Sequence, residues 1–415
     1  MSASGERPPA VVVGLDCITG LQTARILAAR GVPVLAIAAD RDHFACRTRV
    51  CEEIVYADVA GDELVRTLEA MGPRLESKAV LVPCTDASVL VLSRERERLD
   101  AWYQLVLPEH DVVERLMDKI GFYTYAQEQG LPVPQTFLLR SRAEAEAAAG
   151  ALSFPAVLKP PLKTRTWERE IKVKAFKAAG PRELLDFFDR TAPYTDVLVA
   201  QEWIEGGEGN LFSCNCYFDR ESKPVVTFVA RKIRQWPPQT GTSSLGEECR
   251  NDEVLRETIR LFEGVGYRGL GYVEMKRDER TGRHLIVEPN IGRPTGRSAI
   301  AEAGGVELLY AAYCDAVGLP LPPGLEQRYG SAKWIYFRCD VQSALHYWWR
   351  GELGLGEWRR SWQGRKVDAV FSRADPVPFF LDYWKTVRKG ARLLAKSRGA
   401  RGQATEPASP AVGSH

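Results

Sequence analysis

Two short runs constrain this chain more than any other feature: Gly271-Tyr-Val-Glu274-Met-Lys276 and Ile286-Val-Glu288-Pro-Asn290. Between them lies Arg277-Asp-Glu-Arg-Thr-Gly282-Arg-His284, a charged stretch with a glycine that reads as a hairpin turn between two strands. Residues two apart on a strand share a face, so Glu288 and Asn290 point the same way, and a hairpin can bring Glu274 beside them. Two carboxylates and one amide oxygen in a small volume are hard oxygen donors. Such donors suit Mg²⁺, which completes its shell with water and nucleotide phosphates. The alternative is a solvated hairpin carrying ordinary surface acids, and the rest of the chain has to separate the two.

The chain has 415 residues, room for two to four domains or subdomains, and its 45% apolar content supports folded cores rather than disorder. A net charge of +2 gives no bulk reason to expect nucleic acid. Nine cysteines are scattered, mostly in apolar segments, without a CxxC pair, and the five histidines make no zinc motif. Reduced thiols and a cytoplasmic location are expected from this usage. No apolar run approaches membrane-spanning length, and Met1 to Pro9 lacks a signal-peptide core.

Residues 10–38 read strand, turn, helix, strand, a βαβ opening. The connecting loop, Gly14 to Gly20, has glycines too sparse for the pyrophosphate turn of a dinucleotide site. A helix over 62–71 precedes a strand over 79–84 that ends in Thr85-Asp86. Asp86 reads either as a cap for the next helix or as a group facing a crevice at a strand's carboxyl end. Asp118-Lys119 opens a helix that stops at Gly130, and further helices are expected over 141–149, 181–190, 252–265 and 299–317. Phe154-Pro-Ala-Val-Leu-Lys159-Pro-Pro161 places a lysine at the end of an apolar strand, where it needs an anionic partner, such as a phosphate, or must snorkel to water. Val197-Leu-Val-Ala-Gln201-Glu202-Trp203-Ile204-Glu205-Gly-Gly-Glu208 is a strand running into an acidic, glycine-rich bend, and strands are expected near 211–218 and 224–231. Arg231-Lys232-Ile-Arg234 leads into Gln239-Thr-Gly-Thr-Ser-Ser244, either a loop that closes over phosphates or a solvated one. Beyond 330 lie six of the ten tryptophans, so this section is expected to pack. Phe380, Trp384, Val387, Ala391 and Leu394, with Lys385, Arg388, Lys389, Arg392 and Lys396 beside them, form a basic amphipathic helix. It docks on the protein or makes weak contact with a membrane surface. Residues 398–415 read as disordered.

In order, Asp118-Lys119, Val-Leu-Lys159-Pro, Gln201-Glu202-Trp-Ile-Glu205-Gly, Val-Glu274-Met-Lys and Glu288-Pro-Asn290-Ile-Gly-Arg293 resemble the motifs of the ATP-grasp superfamily of carboxylate–amine or carboxylate–thiol ligases. The resemblance covers roughly residues 10–320, and Arg350-Gly-Glu-Leu with Ala369-Val-Phe-Ser-Arg-Ala-Asp375 is similar to D-aspartate-ligase-like members. It implies an α/β (α+β) fold: a Rossmann-like PreATP-grasp domain over 1–112, then an ATP-grasp domain over 113–325. That domain divides into subdomains 113–194 and 195–325, the second carrying the Mg²⁺ site, followed by a tryptophan-rich extension over 326–397. The resemblance further implies that Lys119 and Lys159 contact nucleotide phosphates, and that Gln201, Glu202, Trp203 and Ile204 hold adenine. Glu205 or Glu208 would take the ribose hydroxyls. Glu274, Glu288 and Asn290 would hold one or two Mg²⁺ ions, for which Mn²⁺ can substitute. Arg293, with Arg231 as a weaker candidate, would steady the transferred phosphoryl group.

This sequence departs from the superfamily pattern in two places. The loop after Lys159 carries Lys163 and Arg165 but no glycine, and two residues rather than one separate Asn290 from Arg293, which makes Arg297 a rival for its role. The reaction expected is amide-bond formation between amino-acid or peptide substrates through an acyl phosphate, with ADP and phosphate released. The rivals are a carboxylase or other phosphoryl-transfer enzyme on the same fold, and a nucleotide-binding regulatory protein without catalysis. The extension is left as a pocket wall, a homodimer contact or a membrane-facing surface.

Overall fold

The structure is a computed structural model that describes residues 7–161, 165–171, 173, 175–238, 241–386 and 388. Several expectations fall outside them: Lys163 in the loop after Lys159, Gln239 and Thr240 in the hydroxyl-rich loop, Val387, Lys389, Ala391, Arg392, Leu394 and Lys396 of the basic helix, and the tail over 398–415.

The first sheet is parallel and grows from the βαβ opening. Strands β1 (Ala10–Val13), β2 (Val34–Ala38), β3 (Glu53–Tyr56), β4 (Ala79–Pro83) and β5 (Tyr103–Leu105) lie in the order β3-β2-β1-β4-β5. β1 is buried along its whole length, as an apolar strand covered by helices on both faces must be. Those helices are α1 (Ile18–Ala29), α2 (Asp62–Met71), α3 (Asp86–Arg94) and the short α4 (Arg96–Leu99). The strand order reverses between β1 and β4, so a crevice opens at their carboxyl ends, the usual ligand position in such sheets. Gly14 ends β1 at φ +94°, and a Cβ there would meet the Thr85 side chain at 2.9 Å. Thr85, not Asp86, caps α3: its side chain accepts from the Ser88 amide. Asp86 is the first helical residue, its carboxylate free to turn elsewhere.

Helices α5 (His110–Met117) and α6 (Lys119–Glu128) lead to the second sheet, built from β6 (Thr136–Leu139), β7 (Ala156–Lys159), β8 (Phe176–Ala178) and β9 (Leu198–Glu202). Its order is β6-β9-β7-β8, all antiparallel, and α7 (Arg142–Ala151) and α9 (Pro181–Thr191) close a separate small core around Leu139, Leu158 and Leu184, with α8 (Arg165–Glu170) between them in sequence. β9 pairs with β6 and β7, so this layer runs to Glu202 rather than to 194.

The third sheet holds β10 (Leu211–Phe218), β11 (Pro224–Trp236), β12 (Thr242–Glu248), β13 (Gly269–Arg277), β14 (His284–Ile291), β15 (Lys333–Ile335) and β16 (Lys366–Asp368) in the order β14-β13-β10-β11-β12-β15-β16. α10 (Asp252–Gly264) precedes the β13–β14 hairpin. The single helix expected over 299–317 is two, α11 (Ala299–Ala303) and α12 (Leu308–Ala316), because Gly304 and Gly305 intervene and Gly305 sits at φ +86°.

The tryptophan-rich section is built into the fold. β15 and β16 extend the third sheet, while α13 (Phe337–Trp349) and α14 (Leu355–Ser361) pack beside it. Asp340 is fully buried and gathers five donors: Arg234 through Nε and Nη2 at 2.8 and 3.0 Å, the indoles of Trp358 and Trp362 at 3.0 and 2.7 Å, and the Ser244 hydroxyl at 3.5 Å. Asp375, also buried, takes Arg25 and the Thr48 hydroxyl, tying the extension to the first domain. Residues 377–386 are helical, with Phe380 and Trp384 exposed.

A buried charge left without its partner is costly. Replacing Asp340 with alanine strands the Arg234 guanidinium, and urea unfolding is expected to show a loss of about 3–5 kcal/mol. A loss below about 1 kcal/mol would mean that the extension is held by its apolar contacts alone.

Candidate active site

The hairpin expected from the sequence forms, and its register sets the site. Glu274 lies directly opposite Glu288, and Tyr272 opposite Asn290. On a pleated sheet, residues two apart share a face, so these four side chains meet on one side of the strands. Two carboxylates held so close resist ionising together: burial and then the Glu274 charge push the Glu288 carboxyl up from its usual range. Cations gather on them. Lys232 stands 3.8 Å and Arg297 3.6 Å from Glu274. Arg293 reaches the Asp86 carboxylate, the Tyr272 hydroxyl at 2.9 Å and the Asn290 amide oxygen at 2.7 Å. Asn290 Nδ2 and Arg297 Nε are buried without a hydrogen-bond partner among the described residues.

The set fits Mg²⁺. All three donor groups are oxygens, and a divalent cation would relieve the Glu274–Glu288 repulsion. No cluster of three or more His, Cys, Asp or Glu suited to a metal occurs among the described residues. An ion held here by two carboxylates and an amide therefore takes its remaining ligands from water or phosphate, as Mg²⁺ habitually does.

Two cavities share this point, and a third lies beyond β7 residue Val157. One of about 470 Å³ lies between the third sheet and the first domain, where Ile18 and Thr19 of α1 face Lys232, Glu274, Arg293 and Arg297. A second, about 280 Å³, shares Glu288, Asn290 and Arg293 with it and leads to Asp86, Lys119 and Lys159. Lys119 donates to the Pro161 carbonyl at 2.9 Å and Lys159 to the Gln201 amide oxygen at 3.1 Å. Neither lysine has an ion pair among the described residues. Burial, reinforced by the Lys119 charge, pulls the Lys159 ammonium down to about 8, with Glu288 working the other way. Two adjacent lysines lacking an anion make a ready phosphate site.

The third cavity, about 950 Å³, is lined by Val157, which shares a face of β7 with Lys159, two residues on and in the lining of the second. Trp203, Glu205 and Glu208 line it too. Gln201 is buried and bonds Lys159 and Thr136. Glu202 turns to Arg280 at 3.2 Å. The Ile204 carbonyl accepts from Lys276 at 2.8 Å, and Lys177 sits over the Trp203 ring while pairing with Glu205 at 3.6 Å.

Arg231 is not in these cavities. β11 continues to Trp236 instead of ending near 231, and Arg231 lies on the face opposite its neighbour Lys232, bonded to Glu247 at 2.8 Å and half exposed. Lys232 is the one that reaches Glu274. Among the other groups the motifs did not single out, Tyr272 was legible, since it stands two residues before Glu274. Lys232 could be named only once the inward face of β11 was known, and Tyr347, which enters the third cavity from α13, carries no local signal.

No family model matches the chain. It is 25% identical over 234 residues to D-aspartate ligase from Enterococcus faecium (strain Aus0004), covering 54% of each chain. It is 26% identical over 168 residues to D-alanine–D-alanine ligase from Alkalilimnicola ehrlichii, covering 39% of this chain and 50% of that protein. The matches thus span about half the length of these relatives. In structure it resembles biotin carboxylase from Campylobacter jejuni with a TM-score of 0.60 at 12% identity, over 76% of this chain and 72% of that one. In sequence and in fold the chain is thus similar to ATP-grasp ligases, from the first α/β domain through the carboxylate hairpin.

Proposed function

We propose that this protein is an ATP-dependent ligase that joins a carboxylate to an amine, with an amino acid as the acid. The observation that carries this reading is the pairing of two anion-free lysines with two facing carboxylates in one continuous cleft. The similarity to D-aspartate ligase and D-alanine–D-alanine ligase supports amino-acid substrates.

In this reading Lys119 and Lys159 hold the nucleotide phosphates, and Gln201 to Ile204 border the adenine. Glu205 or Glu208 meets the ribose. Glu274, Glu288 and Asn290 would hold Mg²⁺. When bound, that ion neutralises phosphate charge and aligns the terminal phosphoryl group. The acid enters the cavity beneath α1, where Arg293, Arg297 and Lys232 offset its charge. Its carboxylate oxygen attacks the γ-phosphorus, the bond to the β-phosphate oxygen breaks, and ADP leaves as the acyl phosphate forms. The amine then attacks the acyl carbon, loses a proton, and phosphate departs. Arg293, anchored by Asp86 and Tyr272, stays charged although burial opposes it, and so can offset charge on the transferred group throughout. The first domain roofs this cavity through Ile18 and Thr19, restricting the water that would hydrolyse the intermediate.

A second reading is a carboxylase, in which bicarbonate is the acid activated. It is favoured by the fold likeness to biotin carboxylase.

Incubation with ATP, Mg²⁺ and pooled amino acids, followed by mass spectrometry, is expected to give ADP and a new amide mass. ATP consumption that depends on bicarbonate instead would favour the carboxylase. ATP left intact across amino-acid and bicarbonate panels would defeat both readings.

Lys159 supplies a pH test. Held near 8, it is charged below that pH and neutral above it, so ATP affinity should fall as pH rises through about 8, with proton uptake on binding. Calorimetric titration from about pH 7 to about pH 9.5 should show this step, and Lys159→Arg should remove it by keeping the charge. A step unchanged in Lys159→Arg would take Lys159 out of the phosphate site.

A further inference from the structure

The helix over residues 377–386 docks by a buried acid and turns an apolar stripe outward. Buried Asp382 accepts from the Tyr336 hydroxyl and from Arg338 Nε, each at 2.9 Å, and Phe379, one turn earlier, packs against the main core. Val377, Phe380, Trp384 and Arg388 recur at spacings of three and four, so they share the other side of the helix. Phe371 joins them: its ring lies 5.2 Å from that of Phe379, which lies 5.7 Å from that of Phe380. Phe371, Val377, Phe380 and Trp384 are between 42% and 64% exposed. Single exposed apolar residues need no explanation, but a connected group of large ones marks a contact surface.

The charge around this patch is predominantly positive, because the acids of the segment turn inward. Asp368 accepts from the Val370 and Phe371 amides, Asp375 pairs with Arg25, and Asp382 pairs with Arg338. Lys385 turns to the Asp42 carbonyl of the first domain. Arg373 and Arg388 stay exposed, and neither has an ion pair among the described residues. The Arg388 guanidinium lies 4.4 Å over the Trp384 ring, so the chain leaves the described structure beside the patch. Beyond it the sequence carries Lys389, Arg392, Lys396, Arg398 and Arg401 against Glu406 alone.

We propose that this face docks on the surface of an anionic lipid bilayer. Phe380 and Trp384 enter the boundary between headgroups and acyl chains, and Arg373, Arg388 and the basic residues after them meet the anionic headgroups. A second copy of the chain fits less well, since a two-fold contact would set Arg373 and Arg388 against their own copies. A nucleic acid would satisfy the arginines but leave Val377 and Phe380 in water. The contact is peripheral, and it does not depend on the ligase reading.

Sedimentation of the full chain with phosphatidylcholine vesicles, with and without about one-third phosphatidylserine, tests this. Binding to the anionic vesicles should be about tenfold tighter or more than to the neutral ones, and should weaken by about tenfold or more between ~0.05 and ~0.5 M salt. Phe380→Ser combined with Trp384→Ser should weaken it about tenfold or more, with an unchanged melting temperature because both side chains are exposed. Arg373→Glu combined with Arg388→Glu should remove the preference for anionic vesicles. Equal binding to both vesicle types, or binding unchanged in the Phe380 and Trp384 double variant, would overturn the proposal. So would a dimer, formed without vesicles, that the same variant abolishes, since a second copy would then cover the patch. Duplex DNA bound as tightly as the anionic vesicles would overturn it too, because the apolar stripe would then have no part in binding.

Discussion

Two carboxylates set opposite each other on neighbouring strands repel, and the rest of this site can be understood as the answer to that repulsion. Glu274 and Glu288 are fixed face to face by the register of one hairpin. Lys232 and Arg297 close on Glu274, and Arg293 bridges Asn290, Tyr272 and Asp86. These cations come from a different strand and from the turn after the hairpin, so the charge balance draws β11, β14 and the edge of the first domain together. A divalent ion bound between the carboxylates would share Glu274 with Lys232 and Arg297, freeing positive charge for an anionic substrate in the same cavity.

The parts legible in the sequence were those with a local period or a local cap. The hairpin followed from two strand runs around Gly282, and Asp118 caps the helix that begins with Lys119, as its position suggested. The facing of Glu288 and Asn290 followed from a period of two. What sequence could not supply was the pairing of distant strands. Arg231 and Lys232 are adjacent and chemically alike, yet only Lys232 turns inward, because β11 runs on to Trp236 and its alternation is fixed by β10 and β12. Asp86 reads locally as a cap, but Thr85 takes that duty and leaves Asp86 for Arg293, 207 positions along the chain.

The extension shows the same limit from the other direction. Its tryptophans announce packing but not a target. Two of them, Trp358 and Trp362, share one buried carboxylate, Asp340, with an arginine of the central strand. A buried ion pair contributes little net stability but fixes one geometry when every partner is present. Here it fixes the end of β11, where Arg234 and Gln235 line the 950 Å³ cavity. Among the described residues no helix is long and apolar enough to cross a membrane, and Phe380 and Trp384 are exposed on the helix over residues 377–386.

The central claim is that the carboxylate pair and the lysine pair serve one Mg²⁺–nucleotide. Titrating ATP into the protein with and without Mg²⁺ tests it most directly, with Glu288→Gln measured in parallel. The account predicts that Mg²⁺ strengthens ATP binding by about tenfold or more and that Glu288→Gln abolishes this coupling while ATP alone still binds. ATP affinity indifferent to Mg²⁺, or a coupling that survives Glu288→Gln, would contradict it.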